Sequence, residues 1–174
     1  MKNDNRYKKD FFWGVASSAF QIEGQVENDM TEWEKQGKFR QDDKNPLYND
    51  ASNHWKEWEN DLNLLKSLNV NAYRFSMEWA RIKPKPEIIN QKALKKYHKI
   101  VDKLIDLNIE PLLTLHHFTH PKWFHETCPW HKENAIEYFV NYAKLIIENF
   151  SEKISWFITF NEPIVWLLAA YGDS

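Results

Sequence analysis

Ile158-Thr159-Phe160-Asn161-Glu162-Pro163 is an apolar run that ends abruptly in an amide, a carboxylate and a proline. With Ile154-Ser155-Trp156-Phe157 ahead of it, the run reads as a buried strand, rich in β-branched and aromatic side chains. Pro163 has no backbone donor and disfavours helical geometry at the residue before it. The strand is therefore predicted to stop here, with Glu162 extended at its carboxyl end. A carboxylate in that place is either satisfied by a neighbouring Arg or by loop amides, or it has chemistry to perform. The rest of the chain decides between the two.

Working outward, strand-like and helix-like segments alternate. Residues 11–20, Phe11 to Phe20, are apolar and small and read as a buried strand, with Gln21-Ile22-Glu23-Gly24 as a loop after it. Residues 25–53 are polar and irregular and read as a long excursion on the loop side. Trp55, Trp58, Leu62, Leu65 and Leu68 recur at helical spacing, and Asn69 can end that helix. Residues 72–79 alternate with period two as a second strand; Leu94, Tyr97, Val101, Leu104 and Ile105 mark a second helix. Residues 110–118 form a third strand, and Ile136, Phe139, Val140, Ala143, Ile147 and Phe150 mark a third helix. Near-continuous apolar strands alternating with helices imply a parallel sheet covered by helices.

Two α/β architectures fit, a doubly wound sheet or part of a (β/α)8 TIM barrel. No Gly-x-Gly-x-x-Gly and no Walker motif follows any strand, which removes the usual nucleotide-binding reasons for a doubly wound sheet. Every strand does end in polar residues: Gln21 after the first, Arg74, Ser76 and Glu78 in the second, His116 and His117 on the third, Asn161 and Glu162 on the fourth. Ligand chemistry in a barrel collects at that face. The expectation is the first half of a (β/α)8 barrel, four parallel strands with intervening helices, with residues 1–174 as one partial domain truncated after strand four. An open half exposes two parallel edges, which folded proteins avoid, so the chain reads as a fragment or one half of a split enzyme.

Composition excludes several other classes. The 174 residues suit one ordinary domain, which at this size buries roughly 70% of its unfolded surface. With 23 basic and 25 acidic residues the net charge is -2, and no basic block or acidic tail points to nucleic acid or a membrane surface. The charged start, Met1 to Asp10, has no apolar segment of the signal-peptide kind, and the apolar run from Ile164 to Tyr171 is much shorter than the ~20 residues of a membrane helix. One cysteine, Cys128, excludes an internal disulfide. The expectation is a soluble, cytoplasmic protein without cofactor. The 16% aromatic content, with nine Trp, goes mostly to core packing, yet Trp also lines sugar clefts, its flat face covering the C–H face of a pyranose. His116 and His120 have the spacing of a helical zinc pair, but Pro121 and Pro129 break the region and the strand reading removes that geometry, so no metal is expected.

Four stretches together resemble the ordered motifs of the family 1 glycoside hydrolases: residues 12–24, Phe12-Trp13-Gly14 through Gln21-Ile22-Glu23-Gly24; Tyr73-Arg74-Phe75-Ser76 with Trp79, Arg81-Ile82 and Pro84; Thr114-Leu115-His116-His117-Phe118 with Pro121 and Trp123; and Thr159-Phe160-Asn161-Glu162-Pro163. The resemblance covers essentially the whole chain. It implies a retaining β-glycosidase acting on β-glucosides or related β-glycosides, with Glu162 as general acid/base and Asn161 on the sugar 2-hydroxyl. It further implies Gln21 and His117 on hydroxyls at the far side of the glycone, and Arg74 against the nucleophilic carboxylate. That chemistry needs one carboxylic acid to protonate the leaving oxygen and a second carboxylate about 5–5.5 Å away to attack the anomeric carbon.

The chain also departs from the family pattern. The nucleophile belongs to a Thr-Glu-Asn-Gly type motif on the seventh strand, and no such motif occurs here. Phe118 stands where many members have Trp, and Cys128-Pro129-Trp130 replaces Gly-Gly-Trp, changes that alter the rim. Two functions follow from this: the acid/base half of a β-glycosidase whose missing carboxyl-terminal half is a required partner, leaving the chain inactive alone; or a non-catalytic sugar-binding or partner-binding half-barrel. For Arg74 an ion pair with Glu78 or Asp61 is the structural alternative, for Gln21 a loop cap, and His116 is expected to be structural because neighbouring strand residues face opposite ways.

Overall fold

A computed structural model describes residues 11–38 and 50–172. Four strands, β1 (Gly14–Ala16), β2 (Ala72–Ser76), β3 (Glu110–His116) and β4 (Trp156–Phe160), form one sheet in the order β1-β2-β3-β4. Every neighbouring pair is parallel. After β1 come α1 (Ala19–Ile22), α2 (Asp29–Lys35) and the crossover helix α3 (His54–Ser67). After β2 come α4 (Trp79–Ile82) and α5 (Gln91–Asp106), and after β3 come α6 (Lys122–Thr127) and α7 (Ala135–Phe150). The short α8 (Pro163–Tyr171) follows β4. This is the expected half barrel.

The helices begin and end where local chemistry dictates. The Asn90 side chain accepts a hydrogen bond from the Ala93 amide at 3.2 Å and starts α5. Its apolar stripe, Leu94, Tyr97, Ile100, Val101 and Leu104, is buried. Left-handed Asn69 and Asn108 close α3 and α5. Tyr73 and Phe75 of β2 and Leu113 and Leu115 of β3 face these helices in the core, whereas Arg74 and Thr114, one residue out of phase, turn to the other face and bond to each other. Trp79 is fully buried and stacks on Tyr142 with ring centroids 4.7 Å apart.

Four readings of local structure need correction. Only residues 14–16 of the first segment are strand, and Phe11, Phe12 and Trp13 are exposed beside an open sheet edge. Residues 21–22 belong to α1, a single helical turn, so Gln21 is not in a loop. The irregular excursion contains α2, opened by a capping box between Asn28 and Thr31; residues 39–49 of that stretch lie outside the described residues. Finally, β4 is not buried: it pairs with β3 alone, and Trp156 is 52% exposed. Five residues apolar enough for an inner strand lie at an edge here, because burial depends on what the next strand covers.

Candidate active site

The carboxyl ends of β2, β3 and β4 are tied together by one side-chain bridge. Arg74 Nε donates to Thr114 Oγ1 at 3.0 Å, and Arg74 Nη2 donates to Asn161 Oδ1 at 2.6 Å. The Asn161 amide donates to the His116 carbonyl at 2.9 Å, continuing the parallel ladder one residue past β4. Because Oδ1 of Asn161 is taken by Arg74, its Nδ2 is left as a donor for a ligand. Arg74 pairs with neither Glu78 nor Asp61. Glu78 instead accepts from Thr119 and Asn28, and Asp61 meets His54 Nδ1 at 2.6 Å.

Glu162 lies two residues beyond the end of β4, not on it. Its backbone is left-handed (φ 42°, ψ 61°), against the extended geometry predicted from Pro163. Pro163 opens α8 instead, a position where its fixed φ suits the helix and its missing N–H is not needed. The Glu162 side chain is exposed and caps nothing, so its carboxylate is free of the helix it precedes. Phe118, just after β3, is also a bulky left-handed residue at this face (φ 71°). Such backbone costs of order 1–3 kcal/mol at each position and concentrates at ligand sites.

His117 is half-buried beside this bridge. Burial, and then the Arg74 guanidinium, push its imidazole down to about 4, so it is neutral at pH 7 and offers one donor and one acceptor. Gln21 is exposed on α1, and the Ser18 hydroxyl donates to its Oε1 at 2.8 Å. Of the five candidates, Arg74 and Asn161 are in direct contact and His117 feels the Arg74 charge; Gln21 and Glu162 bond to none of the others. Thr114 belongs to this site through its bond to Arg74, a contact between strands that no local sequence pattern signals.

Behind the site is a buried polar network. Glu23 accepts from Arg81 Nε at 2.9 Å and from the Tyr97 hydroxyl at 2.7 Å, while Tyr97 accepts from the Glu78 amide. Arg81 also donates to the Gly24 carbonyl at 2.7 Å and lies over the Trp55 ring at 4.0 Å. Gly24 has φ 71°, and a Cβ there would sit 2.3 Å from the Asp50 carbonyl oxygen, so glycine is required. Burial drives the Glu23 carboxyl up to about 7 and the Asp29 carboxyl up to about 8. This network anchors both ends of the segment that carries Gln21 and α2.

His116 is packed among aromatic rings, and at a cost. It is buried among Phe160, Trp130, Phe139 and Trp166 with both ring nitrogens unpartnered, and burial pushes it down to about 3. His116→Phe should raise stability by about 1–3 kcal/mol at pH 7, the cost of leaving such groups unmade. Urea denaturation checks this, and a lower midpoint in the variant would show that the imidazole has a partner. An aromatic cleft of roughly 240 Å³ lies nearby, lined by Trp33, Trp130, Trp166, His120 and Asp29, and none of the five candidates borders it. Among the described residues no group of three His, Cys, Asp or Glu is placed to hold a metal, and no helix is long and apolar enough to cross a membrane.

Comparison with known proteins agrees with this geometry. Residues 3–174 match the model of Glycosyl hydrolase family 1. β-Glucosidase A of Thermotoga maritima is 33% identical over 98% of this chain, which spans 39% of that protein. A 6-phospho-β-galactosidase of Clostridium acetobutylicum is 34% identical, with 97% of this chain and 35% of that protein aligned. The structure of a β-glycosidase from Pyrococcus horikoshii superposes with a TM-score of 0.84 at 36% identity, over 95% of this chain and 38% of that one. The chain thus spans about two fifths of its relatives, the part from the amino terminus. With four parallel strands, an Asn-Glu pair beyond the fourth and a match along almost its whole length, the chain belongs to glycosyl hydrolase family 1.

Proposed function

We propose that this chain supplies the acid/base half of a retaining β-glycosidase site. Glu162 protonates the departing glycosidic oxygen and later takes a proton from the attacking water, while a carboxylate from a carboxyl-terminal half acts as nucleophile. The observation that carries the reading is the bond from Arg74 to Asn161. It fixes the Asn-Glu pair above the sheet, leaves Asn161 Nδ2 to donate to a sugar 2-hydroxyl, and keeps a cation beside the place where a second carboxylate would ionise. His117, neutral at pH 7, and Gln21 are assigned to the remaining glycone hydroxyls. The relatives named as β-glucosidase and 6-phospho-β-galactosidase differ in glycone, so the substrate class is a β-glycoside.

The isolated chain should show no turnover of an activated aryl β-glucoside, because it lacks the nucleophile. Joined to the carboxyl-terminal part of the Thermotoga maritima relative, it should hydrolyse that substrate. Intact-enzyme rates from the isolated chain, abolished by Glu162→Gln, would overturn the division of labour between the two halves. A folded but inactive fusion would favour a non-catalytic half-barrel.

A further inference from the structure

We propose that Asp29 and Glu78 are positioning residues for His117, clamping the turn after β3 so that the imidazole stays beside Arg74. The functional consequence rests on the assignment of His117 to a glycone hydroxyl, whereas the clamp itself stands on geometry. Every contact in it joins α2, the segment after β2 and the turn between β3 and α6, so neither open sheet edge takes part.

The imidazole of His117 has little of its own to hold it. The ring is half-buried with Nδ1 enclosed and unpartnered, so no hydrogen bond at that nitrogen fixes its direction. Phe118, next in the chain, is left-handed at φ 71°, a conformation that a bulky residue keeps only where its surroundings impose it. Two buried carboxyls impose it through the following two residues. Thr119 Oγ1 donates to Glu78 Oε2 at 2.9 Å, and the His120 amide donates to Asp29 Oδ1 at 2.8 Å. The Asp29 amide returns a bond to the His120 carbonyl at 3.1 Å, so His120 is pinned through both of its backbone groups. Pro121, with φ fixed by its ring, then leads into α6.

Neither carboxyl is free to drift. Glu78 is buried; its Oε1 accepts from the Ala80 amide at 3.2 Å and its Oε2 also from Asn28 Nδ2 at 3.4 Å, so it links the starts of α4 and α2 to Thr119. Asp29, also buried, opens α2 and sets Oδ2 3.5 Å from His120 Nδ1. Burial raises the Asp29 carboxyl to about 8 and holds His120 well below the usual imidazole range, so at pH 6 an uncharged acid faces a neutral ring. In that form one oxygen accepts from the backbone and the other carries a proton on the side of the imidazole. Asparagine has the same pattern, one acceptor and one donor, whereas alanine has neither.

The test is NMR of the histidine rings of the full chain at pH 6, where His117, held at about 4 by burial and by Arg74, should be about 1% protonated. Asp29→Ala and the nearly isosteric Thr119→Val each remove one anchor. Either should let the ring turn toward solvent and raise its midpoint by about 1.5 pH units toward the ordinary 6.5, leaving about a quarter of it protonated at pH 6. Asp29→Asn should behave as the parent. His116, packed against Trp130 and Phe160, reports any general loosening and should stay neutral throughout. In the fusion to the carboxyl-terminal part of the Thermotoga maritima relative, Asp29→Ala and Thr119→Val should lower kcat/KM for the aryl β-glucoside by about 10-fold, the loss of one well-aligned hydrogen bond, and Asp29→Asn should retain it. A His117 ring that stays neutral in both anchor variants overturns the proposal. So does an asparagine variant no better than alanine, or a His116 that becomes charged together with His117. A charged His117 with unchanged kcat/KM upholds the clamp and instead removes His117 from the glycone.

Discussion

In a barrel completed by a carboxyl-terminal half, Glu162→Gln should slow cleavage of an unactivated β-disaccharide by about 10³-fold or more, within the 10²–10⁴ range of positioned acid/base groups. The leaving alkoxide of such a substrate needs a proton as the bond breaks, and glutamine has none of suitable acidity. An activated aryl glycoside leaves without protonation, so formation of its glycosyl-enzyme should fall by less than about 10-fold. Hydrolysis of that intermediate still needs a base, so the intermediate should accumulate as a burst. Azide, a small nucleophile that needs no deprotonation, should restore turnover and yield the β-glycosyl azide. Pre-steady-state burst measurements with and without azide check each step. Equal losses on both substrates with no azide effect would return Glu162 to a structural role. The exposed setting of Glu162, free of any capping bond to α8, leaves its carboxyl open for the two proton transfers proposed for it.

Arg81→Met should destabilise the chain by about 3–5 kcal/mol near pH 8, the range for breaking a buried ion pair by removing one partner. Among the described residues Arg81 is the only cation bonded to Glu23, which is itself buried, and loss of the guanidinium also frees the Gly24 carbonyl and the Trp55 face. The electrostatic part depends on pH. Glu23 titrates at about 7 in the folded chain against 4.5 for the ordinary side chain, so its folded pKa is raised. A carboxyl of that kind lends stability that is fully present below 4.5 and lost as pH rises through 7. Without Arg81 the carboxyl takes its proton more readily still, so the variant should lie closest to wild type near pH 5 and furthest from it at pH 8.

The same linkage gives the parent chain a slope. Asp29, raised to about 8, acts in the same sense as Glu23, so stability should fall between pH 6.5 and 8. His116 and His120 are depressed by burial and act in the opposite sense, losing stability as pH drops below 6.5. Urea midpoints across pH 5–8 should pass through a maximum, and Glu23→Gln, by removing a group that loses stability between pH 4.5 and 7, should move that maximum to higher pH. A midpoint that rises steadily to pH 8 would contradict the buried, protonated state of these carboxyls.

The sequence by itself determined the order of strands and helices, the parallel sheet and the polar residues gathered at its carboxyl face. Those features come from local periodicity and from Pro, Asn and Gly at fixed places, as the Asn90 cap and the left-handed Asn69 and Asn108 show. Tertiary structure alone decided which strands are buried. Trp156 and Phe12 carry the composition of inner strands yet are solvated, because burial belongs to the neighbour and not to the segment. It also decided the conformation of Glu162: the preference of Pro163 for an extended residue before it gave way to the tight turn that joins β4 to α8. Arg74 meets Asn161 across 87 residues of sequence, and Tyr97 meets Glu23 across 74. No local pattern carries such pairings, since each exists only once the sheet has brought separate strand ends within a hydrogen bond of one another.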